Sequence, residues 1–79
     1  MESKSAALFV VDIYESYDKV LSEEKKEPLF PIIYEDSSGY RKKWYFLKEH
    51  TKDICNFIQS LIEIGIIDGR VLMKLEEGR

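Results

Sequence analysis

The strongest periodic pattern in the chain lies in its C-terminal half, where apolar residues recur at helical spacing. Thr51 stands where a side-chain oxygen can accept a hydrogen bond from a free amide of the first turn, and Asp53 adds negative charge at the positive end of the helix dipole. Gly65 suits the left-handed residue that ends a helix. We therefore predict a helix from Thr51 to Gly65 that buries Ile54, Phe57, Ile58, Leu61 and Ile62.

Two runs rich in β-branched and aromatic residues flank Ser38-Gly39 and predict a hairpin, with strands from Leu29 to Asp36 and from Tyr40 to Lys48. A two-residue loop brings opposite charges together and apolar groups together. A shift by one residue places Ile33 opposite Lys43 and loses part of the ~0.2 to 1 kcal/mol that each good cross-strand pair contributes. The favoured register therefore pairs Asp36 with Arg41, Glu35 with Lys42, Ile33 with Trp44 and Ile32 with Tyr45.

The N-terminal third is less regular. The segment from Ala7 to Tyr14 is dense in β-branched and aromatic residues and predicts a first strand. For Glu15 to Lys26 a short helix is an open alternative, because apolar residues also recur there at helical spacing. The polar run from Ser22 to Pro28 is typical of a solvated connection.

The order of elements predicts the fold class. After the helix, Asp68-Gly69 turns the chain into a last strand from Arg70 to Glu76, so the order is β-β-β-α-β. We expect one α+β domain over residues 1–79, a small antiparallel sheet of about four strands whose Trp44 side is covered by one main helix. The apolar arc of that helix extends to Cys55 and Ile64, more than one sheet face covers, so we expect a homodimer or a partner groove beside the helix.

Composition narrows the class of protein. The chain has 79 residues, 12 basic and 15 acidic side chains and 44% hydrophobic residues, which is enough apolar surface to fold. The lone Cys55 cannot form an internal disulfide, and a secreted domain of this size usually needs several, so we expect a cytoplasmic protein. The longest apolar run, Ala6 to Val11, is far shorter than the ~20 residues that cross a bilayer, so no membrane association is expected.

Groups suited to catalysis are few. His50 precedes the predicted helix and Cys55 faces away from its first turn, so we interpret His50 as a polar residue at the helix start and Cys55 as a core filler. A tetrahedral zinc site needs three or four cysteine or histidine ligands, and the chain has one of each. None of the glycines occurs in a phosphate-binding spacing. We therefore expect no enzyme activity, no catalytic residue, no metal and no cofactor.

The segment from Tyr40 to Phe46 interleaves bases with rings. Strand alternation sends Arg41, Lys43 and Tyr45 to the face away from the helix, with Tyr34 beside Lys43 on the neighbouring strand. Two rings and two cations on an open sheet can stack bases and neutralise phosphates, so these four residues are a candidate site for single-stranded nucleic acid or a protein partner. The alternative is that the bases only pair with acids of the neighbouring strand and keep an exposed strand soluble.

A second candidate surface is acidic. Residues 1–36 carry nine acids and four bases, a net charge of −5, whereas residues 37–79 carry six acids and eight bases, a net charge of +2. The halves can match each other or offer surfaces to different partners. Acids interleaved with tyrosines can bind a basic protein or imitate a DNA backbone, although most such runs only solubilise. The residues of this acidic surface are Tyr14, Glu15, Tyr17 and Asp18.

In element order, the strand-strand-helix-strand stretch from Leu29 to Glu76 resembles the small phage-encoded inhibitors of uracil-DNA glycosylase, and strands followed by a helix resemble PUR-type single-strand-binding modules. The first resemblance implies a phage or viral accessory protein, and neither implies site residues. We predict a small non-enzymatic interaction protein that regulates or inhibits a protein partner through surface binding, with single-stranded nucleic-acid binding as the alternative.

Overall fold

The computed structural model describes residues 3–73, which form two helices and three strands. In chain order the elements are α1 (Ser3–Lys25), β1 (Leu29–Glu35), β2 (Arg41–Leu47), α2 (Lys48–Glu63) and β3 (Arg70–Met73). The strands form one antiparallel sheet in the order β2-β1-β3. The predicted α+β class is confirmed, but this part of the chain has three strands rather than about four, because its first element is a helix.

The N-terminal element is the main departure from the predicted order. Residues 7–14, predicted as a strand, belong to α1, and so do residues 15–25, for which a helix is the open alternative. Leu8 and Val11 are three residues apart and both are buried in the core, whereas a strand would send them to opposite faces. Tertiary packing of this helical face outweighs the β propensity of single residues, and the predicted connection shortens to residues 26–28.

The hairpin between β1 and β2 has a register one residue away from the predicted one. Ile32 pairs with Trp44 and Ile33 pairs with Lys43, which is the arrangement that the cross-strand comparison disfavours. Because side chains alternate along a strand, a shift by one residue turns every side chain of β1 to the other face. Ile32 and Tyr34 are consequently fully buried, and the prediction that Tyr34 lies on the open face is wrong.

Hydrogen bonds in the hairpin loop explain this register. Oδ1 of Asp36 accepts hydrogen bonds from the amide and the hydroxyl of Ser38, at 2.9 and 2.8 Å, and from the amide of Tyr40 at 2.9 Å. Gly39 has a positive φ of 94°, which glycine adopts without strain. Three hydrogen bonds to a charged group stabilise a loop longer than two residues and outweigh the ~0.2 to 1 kcal/mol of each cross-strand pair.

Both helices pack on one face of the sheet, whereas the sequence predicts a single main helix there, because Leu8 and Val11 of α1 join Ile58 of α2 in the same buried cluster. Trp44 and Phe46 are fully buried on that face, whereas Arg41, Lys43 and Tyr45 lie on the opposite face and are exposed. The expected division of β2 into a covered and an open side is therefore confirmed. The buried cluster consists of Leu8, Val11, Ile32, Tyr34, Trp44, Phe46, Ile54, Ile58, Leu61 and Ile67.

The sequence predicted the end of α2 correctly but not its start. The helix begins at Lys48, and the hydroxyl of Thr51 donates to the Lys48 carbonyl oxygen at 2.8 Å, so the prediction that Thr51 caps the helix is wrong. The predicted end is confirmed, because Gly65 has a φ of 86° and its amide donates to the Ile62 carbonyl oxygen at 3.1 Å. A chain reversal that requires glycine is thus visible in the sequence.

Strand β3 lies beside β1 because Gly69 lets the two backbones approach closely. Gly69 has a φ of 119°, and a Cβ atom at this position would overlap the carbonyl oxygen of Glu35. Arg70 then pairs with Glu35 at the start of the strand. The predicted strand from Arg70 is confirmed as far as Met73, and its remaining residues, 74–76, lie outside the described residues.

Candidate protein-docking groove

The acidic residues of α1 face the edge of the sheet. Glu15 accepts a hydrogen bond from the amide of Tyr45 at 3.0 Å, and Asp18 accepts one from the amide of Leu47 at 2.9 Å. Both amides belong to β2, an edge strand whose free backbone groups could otherwise pair with another chain. The expectation that Asp18 lies on an exposed acidic surface is wrong, since Asp18 is 3% exposed, and Glu15 is half-buried.

Asp12 extends this row of carboxylates toward the other end of β2. It accepts a hydrogen bond from Nε1 of Trp44 at 2.7 Å, and its Oδ1 lies 3.3 Å from Nζ of Lys42. Lys42 therefore pairs with α1 rather than with the neighbouring strand. Acidic side chains of the first half of the chain therefore pair in part with basic side chains of the second half.

Asp18 also joins α1 to the start of α2. Nδ1 of His50 lies 2.9 Å from both carboxylate oxygens of Asp18, and Nε2 lies 3.5 Å from Oε2 of Glu49.

Cys55 is half-buried, and this burial raises the pKa of its thiol. A raised pKa keeps the thiol protonated and a poor nucleophile at neutral pH.

A groove of about 420 Å³ opens between α1 and α2 beside the Asp18–His50 pair. Two of its side chains, Tyr14 and Tyr17, are 45% and 66% exposed on α1, so their rings are accessible to a ligand. The ring of Tyr14 lies 6.2 Å from that of Phe57 on α2, at an interplanar angle of 72°, which is a favourable edge-to-face arrangement. The other lining residues are Asp18, Phe46, His50, Asp53 and Ile54.

The groove contains three residues of the predicted acidic surface and five to which the sequence assigns no binding role. Tyr14, Tyr17 and Asp18 meet there, whereas Glu15 faces β2. The contribution of α2 has a local signal, because His50, Asp53 and Phe57 are three and four residues apart and share one helix face. Nothing in that pattern indicates that the face meets α1, since residues 7–14 of α1 have the local signature of a strand.

The open face of the sheet carries the remaining candidate residues. Arg41, Lys43 and Tyr45 lie on it together, and Nζ of Lys43 is 5.5 Å from the centroid of the Tyr45 ring, within cation–π range. Tyr34 is on the opposite face, where its hydroxyl donates to the carbonyl oxygen of Asp68 and where burial raises its pKa. Three of the four predicted residues thus remain available for binding on this face.

Glu35 reduces the positive charge of the open face. Its Oε1 lies 3.1 Å from Nη2 of Arg70, and its Oε2 lies 3.3 Å from Nε of Arg41. Hydrogen bonds from Arg70, and then from Arg41, lower the pKa of the Glu35 carboxyl, which therefore stays ionised. Two guanidinium groups share one carboxylate, so the face has less free charge for phosphates than its base count indicates.

The start of α1 is held to the hairpin loop by an ion pair. Nζ of Lys4 lies 2.6 Å from Oδ2 of Asp36. This hydrogen bond, together with those from Ser38 and Tyr40, holds the pKa of Asp36 well below its usual range. Asp36 therefore remains a carboxylate at neutral pH, and the contact orients α1 along the sheet.

Other kinds of site have little support in the described part of the chain. Residues 3–73 contain no group of three or more histidine, cysteine, aspartate or glutamate side chains that could hold a metal ion, and neither of their helices is long and apolar enough to span a membrane. Comparisons with models of protein families, with curated proteins and with solved structures found no match for this chain. The basis for a function is therefore the chemistry of the groove and of the open sheet face.

Proposed function

We propose that this chain is a non-enzymatic interaction protein of the cytoplasm that regulates or inhibits a protein partner by binding a basic side chain of that partner in the groove between α1 and α2. The observation that carries the proposal is the meeting of four aromatic rings and two carboxylates in one groove, Tyr14, Tyr17, Phe46, Phe57, Asp18 and Asp53. The single cysteine of the chain supports a reducing compartment.

A lysine or arginine side chain fits this lining in both of its parts. The methylene stem can pack along the rings, while the cationic head is attracted by the ring faces and by carboxylates. Asp18 already holds His50 and the amide of Leu47, so the exposed Asp53 is the carboxylate that meets the incoming cation. The volume of about 420 Å³ is sufficient for one long side chain and its neighbours.

Surface binding accounts for the groove better than catalysis does. A histidine oriented by a carboxylate is the arrangement that activates a nucleophile in hydrolases. Among the described residues that line the groove, however, none is a serine, threonine or cysteine. The Asp18 carboxylate is also occupied by a backbone amide, which is a structural role.

Random peptides displayed on phage and selected on the immobilised full chain test this proposal. We expect the enriched peptides to carry lysine or arginine next to an apolar residue. Tyr14→Ala and Asp53→Asn should each weaken binding of the corresponding soluble peptide by about tenfold, which corresponds to about 1.4 kcal/mol. Isothermal titration calorimetry measures the change.

Tyr40→Ala is the matched control, because Tyr40 is 49% exposed and lies outside the groove. Enriched peptides without a basic residue, or equal binding by the Tyr14→Ala and Tyr40→Ala variants, would contradict the proposal. Charge reversal at Glu15 or Asp18 is unsuitable as a test, since both carboxylates accept backbone hydrogen bonds and their loss perturbs the fold.

A second candidate function is the binding of single-stranded nucleic acid, which the shared face of Arg41, Lys43 and Tyr45 favours. Stacking of a base on an exposed ring contributes about 1–3 kcal/mol. Because Glu35 engages Arg41, few phosphates can be neutralised, and we expect the logarithm of the affinity to fall with log salt with a slope of about −1 to −2.

Fluorescence anisotropy of a labelled oligothymidine at low salt tests this second function. Binding that is lost in the Lys43→Ala and Tyr45→Ala variants supports it. An unchanged anisotropy of the oligonucleotide at low salt would exclude the open sheet face as a nucleic-acid site.

A further inference from the structure

The outer side of α1 carries an apolar stripe, which consists of Phe9, Ile13, Tyr17 and Val20. These residues are spaced by four, four and three positions, so they lie on one helix face. They are 61%, 51%, 66% and 56% exposed, respectively. The opposite side of the helix, which includes Leu8, is buried in the core. That buried side mixes apolar residues with the acids that bind β2, and the fold described by residues 3–73 leaves the apolar stripe uncovered.

We propose that this stripe is the interface of a homodimer in which α1 packs antiparallel against α1 of a second copy. Isolated exposed apolar residues are ordinary, but four of them along about 16 Å of one helix face form a continuous patch. The patch shares only Tyr17 with the groove, so dimer formation and peptide binding would compete for the ring of this one residue.

The area of the stripe is sufficient for a weak dimer. An aromatic side chain has a surface of about 150–250 Å², so the exposed fractions indicate about 400 Å² of apolar surface per copy. Complete burial of the stripe in two copies would remove about 800 Å² from solvent, below the about 1,200–2,000 Å² of stable interfaces, so the stripe fits a weak and transient dimer. We therefore expect dissociation constants in the micromolar range.

Side-chain size favours a second copy as the occupant. An antiparallel pair with its two-fold axis midway between residues 14 and 15 brings Phe9 opposite Val20 of the second copy. The same axis places Ile13 opposite Ser16 and beside Tyr17 of the second copy. Each ring then meets a β-branched side chain, and the small serine leaves space for the larger ring, so the stripe is complementary to itself.

Charge favours the antiparallel direction. The first turn of α1 contains no acidic residue, although the free amides of a helix start carry partial positive charge. Glu23 and Glu24 lie near the other end of the helix. Antiparallel pairing brings Glu23 beside Ala6 of the second copy, near that first turn, whereas parallel pairing brings the glutamates of both copies together. Closed two-fold pairing is therefore the arrangement that both size and charge favour.

Sedimentation equilibrium of the full chain over about 1–500 µM tests the dimer. We expect the average mass to rise from 9.3 kDa toward twice that value. Ile13→Lys should raise the dissociation constant at least about tenfold, because it places a cation within the apolar contact. Ile64→Lys is the matched control, since Ile64 is also exposed, at 68%, but lies outside α1.

A mass of one chain at every concentration would overturn the proposal, and so would an equal effect of the two lysine variants. Far-UV circular dichroism confirms that each variant is folded. Ile13 does not line the groove, so the Ile13→Lys variant should still bind the selected basic peptides. Loss of the dimer and loss of peptide binding are therefore separate results.

Cross-linking tests the direction of the pair. In a Cys55→Ala background, chains with Ala6→Cys and chains with Glu23→Cys are mixed and treated with a thiol-reactive linker of about 8–10 Å, the distance between packed helix axes. Antiparallel pairing gives mainly the mixed product of the two variants. Products of each variant with itself would indicate parallel pairing and overturn the proposed arrangement.

Discussion

Replacement of Asp18 by alanine should destabilise the fold by about 3 kcal/mol, although Asp18 stands in a stretch of the sequence that is typical of a solvated surface. Its side chain is 5% exposed and belongs to α1. It accepts a hydrogen bond from the amide of Leu47, the last residue of β2, and it contacts His50 in the first turn of α2. One carboxylate thus joins three elements.

The magnitude follows from what the alanine variant leaves behind. A buried amide without an acceptor costs about 1–3 kcal/mol, so the amide of Leu47 accounts for about 2 kcal/mol. The contact with His50, which is 36% exposed, contributes about 1 kcal/mol at most, because solvent screens it. A domain of 79 residues has a free energy of unfolding of about 4–12 kcal/mol, so the loss is a large share of the total.

Urea unfolding, followed by the fluorescence of Trp44, measures this loss. With a slope of about 1 kcal/mol per molar urea, typical of a small domain, the midpoint should fall by about 3 M. Asp18→Asn keeps a carbonyl oxygen for the Leu47 amide and should lose about half as much. Asp53→Ala, which removes an exposed carboxylate, is the control. A shift below about 1 M for Asp18→Ala, or one equal to the control, would refute a structural role for Asp18.

Three further predictions concern the hairpin, the sheet and the core. Gly69→Ala should lower the free energy of unfolding by about 2 kcal/mol or more, measured by urea unfolding, because the added Cβ atom meets backbone atoms. Gly39→Ala should lower it by only about 1 kcal/mol, because the space around Gly39 is open. Because Lys4 lowers the pKa of Asp36, the contribution of this carboxylate to stability is present above about pH 4 and is lost as the pH falls further. Asp36→Asn should therefore flatten the acid side of a plot of unfolding free energy against pH. An unchanged acid side would contradict the prediction. Tyr34→Phe removes the hydroxyl bound to a backbone carbonyl and should lower the free energy of unfolding by about 1 kcal/mol, whereas no loss would show that the hydroxyl is not a buried partner.

Helix α1 shows why local patterns were insufficient for part of the fold. One side of the helix faces the core and the edge of β2, and on that side the buried Leu8 and Val11 are interleaved with the acids that bind β2, whereas a second side is apolar and exposed. Apolar residues on two sides of a helix leave no single period in the sequence, and the β-branched composition around Val10 and Val11 then favours a strand. Once the buried side is known, the same pattern can be interpreted as a helix with a second, exposed apolar side.

Features that depend only on neighbouring residues were predictable from the sequence. The α+β class, the end of α2 at Gly65, the turn at Gly69 and the open face with Arg41 and Lys43 all follow from short-range periodicity and from backbone positions that require glycine. These signals are local because side-chain alternation and left-handed φ angles are properties of a few adjacent residues.

The surfaces that meet in the fold could not be predicted in this way. The hairpin register depends on three hydrogen bonds to Asp36, and the groove depends on α1 lying beside α2. Neither the hydrogen bonds nor the position of α1 can be inferred by comparing residue types along the chain. The acids of α1 have the composition of a solvated face, and they become structural because the edge amides of β2 need acceptors. Whether a charged residue is solvated or bound is set by what the fold places opposite it, and that partner lies some thirty residues away in the sequence.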